Sequence, residues 1–268
     1  MTNHMDKQYL LNEQYKDASR LNTRMEMLQN LSTQQTNWYR WIFDQFHHIP
    51  DAHILELGGG DGKLWQKNQD RIYTDWQITI SDFSPGMLQE AQHNLHDSNH
   101  PFEFQIIDAQ SIPFADASLD IAIANNMLYH VPNLARVLAE IHRVVKADGY
   151  FYSSTISGNS VAGMARLIQM ISRSDVTSKV DDVGFTIEQG QEQISQWFSR
   201  VELRRLNNSI AFTNADQIIA IISSLVAEAD IDQEKVKQVR SQLEQQLAKG
   251  NIPPTQLELG LFRASGPR

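Results

Sequence analysis

The stretch HILELGGGDGKLW, residues 53 to 65, holds four glycines within five positions, directly after a short apolar run. A backbone that bare lets a ligand approach closely. A helix opening just beyond it offers free N–H groups to a negative group. Acidic residues recur around the same point: Glu56 stands two before Gly58, Asp82 follows Gly58 by 24 positions, and Asp108 closes a later apolar run. An acidic residue at the end of a second strand can accept hydrogen bonds from both hydroxyls of a ribose. It can equally cap the next helix, which is the other reading of Asp82. His130 follows a fourth apolar run. The ordinary histidine pKa near 6.5 suits proton removal, although a histidine in such a loop can serve simply to hydrogen-bond the backbone. His47, His48, His93, His96 and His100 show no metal-ligand spacing and read as surface or helix-cap residues.

These residues need a frame. Short apolar runs at His53–Leu57, Trp76–Ser81, Phe102–Ile107, Leu119–Asn125 and Tyr150–Thr155 read as strands. Helical segments at Lys63–Asn68, Pro85–Leu95 and Asn133–Lys146 lie between them. Strand–helix alternation of this kind predicts a parallel sheet with helices on both faces. Ser84 stands at a plausible N-cap with Pro85 at the first helical position. Gly149 reads as the left-handed cap of the helix that begins at Asn133. VELRRLN (201–207) reads as a further strand, and LELGLFRA as an apolar run that closes the sheet, making about seven strands. Amphipathic segments around 214–229 and 232–249 precede that last run, the second ending at Gly250. The expected fold is α/β, a doubly wound, mostly parallel seven-stranded sheet with a helical cap.

The glycine spacing narrows the ligand. Dinucleotide sites use G-x-G-x-x-G at this turn. Here Gly58, Gly60 and Gly62 alternate, and Lys63 stands where the third dinucleotide glycine belongs. The pattern Glu56-x-Gly58-x-Gly60-x-Gly62 instead resembles the first motif of the class I S-adenosylmethionine-dependent methyltransferases. DFSPGMLQEA, then IIDAQSIPFADASLDIAIANNMLYHV, then LAEIHRVVKADG follow in order. They resemble the later motifs of the small-molecule branch that includes the ubiquinone and menaquinone methylases, strongly over residues 50 to 155. Tyr150 replaces the second glycine of that branch's closing G-G.

The resemblance implies S-adenosylmethionine as cofactor and S-adenosylhomocysteine as product. It implies that the glycine turn packs on the amino-acid end of the cofactor, with Glu56 anchoring the ammonium directly or through water. It places the ribose on Asp82, the adenine on Asp108 and Ala109, Met87 on the adenine or ribose face, and Asn125 under the methionine part. In related bacterial enzymes a tyrosine such as Tyr15 closes over the cofactor; Tyr15, Trp38, Tyr39 and Trp41 also fit the apolar face of a packed helix. The implied reaction is in-line methyl transfer to an oxygen, nitrogen or carbon of a small molecule. Alignment and exclusion of water are then the main tasks, with His130 as the candidate base where the acceptor holds its proton.

The chain divides by this reading into an N-terminal helical cap (1–48), a cofactor-binding core (49–155), a lid (156–200) and a C-terminal completion of the sheet (201–268). In the lid, Met164, Leu167 and Met170 stand at helical spacing, more in keeping with packing than with a binding stripe. A formal net charge of −9 argues against nucleic acid as partner. Absence of cysteine excludes thiolate chemistry, and NNML at 125–128 lacks the proline and aromatic of enzymes that methylate exocyclic amino groups of bases. Neither a signal peptide nor a membrane span is legible, so the expected location is the cytoplasm. Two rivals stay open: a nicotinamide-dependent oxidoreductase, and a non-catalytic S-adenosylmethionine-binding protein.

Overall fold

The computed structural model describes Lys16 and residues 18–34, 36–171, 184–225, 231–252 and 254–268. Seven strands form one sheet: β1 (His53–Leu57), β2 (Gln77–Asp82), β3 (Phe102–Ile106), β4 (Leu119–Asn125), β5 (Val145–Ile156), β6 (Phe198–Ile210) and β7 (Thr255–Pro267). Their spatial order is β3-β2-β1-β4-β5-β7-β6. The first five are parallel, and β7 runs antiparallel to both β5 and β6. The expected doubly wound, mostly parallel sheet is therefore present.

The order explains where a ligand belongs. The chain leaves β1 toward β2 and later returns on its other side as β4. Connections after these strands diverge, leaving a crevice at their carboxyl ends. The apolar runs face helices on both sides of the sheet, as parallel strands require. On one face Leu55, Leu57, Ala122, Ala124 and Phe151 pack with α5 (Leu134–Val144) and α7 (Ile187–Ser195). On the other, Ile54, Ile78, Ile80, Ile121, Ile123 and Tyr152 pack with α2 (Trp38–Phe43) and α3 (Lys63–Gln66). Trp38 is buried there and Tyr39 and Trp41 pack against it, so these aromatics are core.

The remaining helices make a third apolar cluster. It joins α1 (Ser19–Asn30), α6 (Gly158–Ile171), α8 (Ala215–Leu225) and α9 (Gln233–Ala248) through Met27, Leu28, Met164, Leu167, Ile168, Ile218, Ile222 and Leu243. Met164 and Leu167 thus pack as expected; the side chain of Met170 lies outside the described residues. Ser32 bridges Ile210 and ties the segment after α1 to the sheet edge.

Two expectations about helix ends fare differently. Ser84 does cap α4 (Pro85–Asn94): its hydroxyl accepts from Met87 N at 3.3 Å, with Pro85 in the first turn. Gly149, however, is not a left-handed cap. α5 stops at Val144, and Val145 already begins β5. Gly149 is absent from the positive-φ positions, and a Cβ added there would lie 2.9 Å from the Asp120 carbonyl oxygen. Its small size serves the close approach of β5 to β4, not a turn. His47 also departs from the surface reading. It is half-buried, stacks on Tyr150 at 4.5 Å and meets the Tyr152 hydroxyl at 2.9 Å.

Candidate active site

The glycine turn sits at the carboxyl end of β1. Gly58, Gly60 and Gly62 have φ of 62°, 59° and 73°. This left-handed region strains any side chain, which accounts for the alternating spacing. The turn is held from below. Gly59 N donates to Ser81 O at 2.8 Å, and Gly60 N donates to the Asp82 carboxylate at 3.0 Å. The Cβ position of Gly58 lies 2.8 Å from Met127, so the loop after β4 closes down on the turn.

Glu56 is buried beneath this turn, 2 % exposed, with Oε2 accepting from Trp65 Nε1 at 2.6 Å. Burial pushes its carboxyl up to about 7, against the pull of the Trp65 N–H and the neighbouring Asn125 amide, and Asp82 and Asp61 push the same way by charge. Asp82 is likewise raised, to about 6, by burial that outweighs the backbone N–H groups of Ser84 and Gly60. Its two oxygens hold those two N–H groups at 2.9 and 3.0 Å. Asp82 therefore ties strand end to glycine turn, while the helix cap is Ser84. Asp61 is also raised, first by burial. Its Oδ2 makes no hydrogen bond and has Lys63 Nζ at 3.8 Å. Asn125, at the end of β4, buries Nδ2 and Oδ1 without a hydrogen bond of normal geometry. Three acids and an unsatisfied amide are thus gathered under one turn.

A cleft opens beside it. Gly58, Asp108, Ala109 and His130 line it together, so residues from three separate stretches of sequence meet there. Phe83, Gln110, Met127 and Pro132 complete the walls. Asp108 Oδ1 accepts from Gln110 N at 3.0 Å, which folds the loop after β3 back on itself. His130 ends a single 3-10 turn, Leu128–His130, where its ring meets Tyr129 at 4.5 Å. Met87 is buried, its Cε 3.2 Å from the Cβ position of Gly60. Tyr15 lies outside the described residues.

Several site residues escaped the sequence. Trp65 reads there as one more apolar residue of a helix, and only the fold aims its indole at Glu56. Leu21 of α1 reaches within 3.8 Å of the Cβ position of Gly60, and the neighbouring Asn22 pulls the Asp61 carboxyl down against its burial. No periodicity signals such a cross-contact. Met127 is the exception, since it lies two residues past the end of the fourth strand. A separate hollow of about 370 Å³ between Phe212, Asn214 and Glu244 holds none of the expected residues.

Fold and turn together define the class: a sheet of this order, with three left-handed glycines after its first strand and an acid after its second, is the class I S-adenosylmethionine-dependent methyltransferase fold. Comparison with known proteins agrees. The family model of a methyltransferase domain matches residues 55–153. The chain is 29 % identical over 128 residues to the ubiquinone/menaquinone biosynthesis C-methyltransferase UbiE of Desulfotalea psychrophila, an alignment covering 47 % of this chain and 51 % of that one. It spans about half the length of the curated methylases that it matches. Phosphoethanolamine N-methyltransferase 2 of Haemonchus contortus, solved with phosphomonomethylethanolamine and S-adenosylhomocysteine, superposes with a TM-score of 0.60 at 15 % identity over 100 % of this chain and 61 % of that one. The [4+2]-cyclase SpnF superposes with a TM-score of 0.52 at 16 % identity, covering 85 % of this chain and 80 % of that one. Residues 55–153 thus match a methyltransferase domain, the chain has the class I S-adenosylmethionine-dependent methyltransferase fold, and over that stretch it resembles the ubiquinone/menaquinone methylases. No helix among the described residues is long and apolar enough to cross a membrane.

Proposed function

We propose that the protein transfers a methyl group from S-adenosylmethionine to an oxygen, nitrogen or carbon of a small-molecule acceptor in the cytoplasm. The observation that carries this reading is the acidic cluster under the glycine turn. Glu56, Asp61 and Asp82 are each buried with a raised pKa, and Asp61 Oδ2 and the Asn125 amide lack hydrogen bonds. Such a cluster is stabilised by a cation and by an amino-acid-like group that can complete its hydrogen bonds. A pyrophosphate would instead bring two negative charges against three acids, which disfavours the oxidoreductase alternative on electrostatic grounds.

Bound there, S-adenosylmethionine supplies an electrophilic methyl group on a sulfonium centre. The chain's own residues have the tasks of holding and shielding. Glu56 and Asn125 receive the amino-acid end against the glycine turn. Asp82, beside its structural bonds, keeps lone pairs for ribose hydroxyls. Asp108 and Ala109 take the adenine edge, with Met87 near the glycine turn. The helices of residues 1–48 and 156–200 act as cover over the core of 49–155, and 201–268 complete the sheet. Support for this division comes from the contact of α1 with the glycine turn and from the apolar cluster that joins α1 to α6. His130, on the cleft wall, serves as base for an acceptor that needs one. The acceptor is small, in keeping with the net charge of −9, which repels nucleic acid.

SpnF warns that this fold also houses other chemistry, so the test has two stages. Calorimetry should show binding of S-adenosylmethionine and S-adenosylhomocysteine and none of NAD. Transfer of a labelled methyl group to a small-molecule extract should follow, and should weaken in His130→Gln at unchanged S-adenosylhomocysteine affinity. Tight NAD binding with no response to either sulfur nucleoside would overturn the reading; nucleoside binding without transfer would leave a cofactor-binding protein.

A further inference from the structure

α5 has two working faces. Val137, Leu138, Ile141 and Val144 are buried in the core. Arg136, Glu140 and Arg143, spaced i, i+4 and i+7, turn instead to the loop that follows β3. Arg136 Nε donates to Gln110 O at 2.8 Å. Glu140 Oε2 accepts from Ile112 N at 2.9 Å. Arg143 donates to Ile112 O and to Phe114 O, both at 2.8 Å, and its Nε and Nη2 grip Glu140 at 3.1 and 2.9 Å. The end of the helix continues the pattern: Ala117 N and Ser118 N donate to Arg143 O and Val144 O at 2.8 and 2.9 Å.

The loop lies between β3 and β4, outside any strand pairing, so its backbone groups need other partners. α5 supplies them along nearly the whole stretch from Gln110 to Ser118. Surface ion pairs hold little by charge alone. Here half of the guanidinium hydrogen bonds go to backbone carbonyls of the loop, and the rest to Glu140 and to Asp116 of the same loop, so a fixed planar fork matters more than charge. Arg143 is also 31 % exposed and Glu140 20 %, so neither is a core packing element. The placement is what matters. The loop carries Asp108, Ala109 and Gln110, one wall of the cleft. The segment just before α5 carries Met127, His130 and Pro132, the other wall. One helix therefore spans both.

We propose that Arg136, Glu140 and Arg143 are positioning residues that fix the distance between the two walls of the nucleoside cleft, and with it the preference for an adenine base. The inference rests on the cofactor reading above. None of the three lines the cleft; they act through the loop that does.

The test measures binding of S-adenosylhomocysteine and of its inosine counterpart, S-inosylhomocysteine, to the full chain by calorimetry, with melting temperature alongside. Wild type should prefer the adenine compound at least tenfold. Arg143→Met, Glu140→Ala and the milder Arg136→Ala, which removes one exposed contact, should weaken the adenine compound about tenfold, tenfold and threefold. They should weaken the inosine compound less, so that the preference narrows. Arg143→Lys should recover little, because an ammonium cannot span two carbonyls and two carboxylates. Unchanged preference in all four variants would overturn the proposal, as would equal weakening of both compounds in step with a falling melting temperature. Equal binding of the two compounds by wild type would overturn it as well. Failure of wild type to bind S-adenosylhomocysteine at all would strike the cofactor reading itself.

Discussion

Trp65 Nε1 lies 2.6 Å from Glu56 Oε2, and the indole that makes this bond is fully buried. A helix one turn beyond the glycines thus reaches back to hold a carboxylate beneath them. The carboxylate has lost its water and gained one strong donor. That leaves it with a carboxyl pushed up to about 7, and with a stake in whatever positive group arrives above it.

Cofactor binding should therefore release protons near neutral pH. Without a cation overhead, Glu56 is largely protonated below about 7. An ammonium favours the ionised form, so S-adenosylhomocysteine affinity should rise with pH up to about 7 and level off above it. Calorimetry at pH 6.5 in buffers of different ionisation enthalpy measures the protons released. A binding enthalpy independent of buffer would contradict this account of Glu56.

The same group makes the free protein sensitive to pH. Its folded pKa, about 7, exceeds the ordinary carboxyl value of 4.5. The folded state thus holds the proton more tightly, and its contribution to stability is full below pH 4.5, falls as pH rises through 7, and stays lost above. Glu56→Gln removes this loss. It should stabilise the cofactor-free protein at pH 8 by up to about 3 kcal/mol, change little at pH 4.5, and weaken S-adenosylhomocysteine binding. Urea unfolding at the two pH values decides; equal shifts at both would place the effect in packing.

Trp65→Phe keeps the ring in the core and removes the donor. Leaving a buried carboxylate short of its hydrogen bond should cost about 1–3 kcal/mol. The lowering influence of the indole on Glu56 disappears too, so the pH at which cofactor affinity levels off should move upward. A stability loss with no movement of that pH would mean that the bond does not tune the carboxylate.

Asp82 holds Gly60 N and Ser84 N, so Asp82→Ala should both lower the melting temperature and weaken S-adenosylhomocysteine binding, the latter by about 1.5–3 kcal/mol. Asp82→Asn keeps an oxygen for one backbone donor and should recover part of the stability. Retained affinity alongside a large fall in melting temperature would make Asp82 a tie for the turn alone.

α1 should respond to the cofactor. Leu21 lies over Gly60, so amide hydrogen exchange around Leu21–Met25 should slow on addition of S-adenosylhomocysteine. A weaker effect should reach Met164–Ile168 through the shared apolar cluster. Protection limited to residues 58–62 and 108–110 would mean that these helices are fixed additions rather than a cover.

The sequence by itself determined the alternation and the ligand class. β1 and β4 lie where their apolar runs predict, because buried parallel strands have no other way to satisfy a continuous apolar segment. The three positive φ angles follow from the alternating glycines, since a local backbone demand leaves a local signature. Ser84 capped its helix for the same reason. The tertiary structure decided what crosses between distant segments. That β7 enters antiparallel between β5 and β6 is a matter of pairing, which no local pattern encodes. That Gly149 relieves a close strand approach rather than caps a helix depended on where β5 begins. That Glu56 meets Trp65, and that Arg136, Glu140 and Arg143 grip the loop carrying Asp108, arose only when the sheet fixed α3 and α5 in space. Spacing along the chain states which residues a helix presents together; what stands opposite that face is settled by packing.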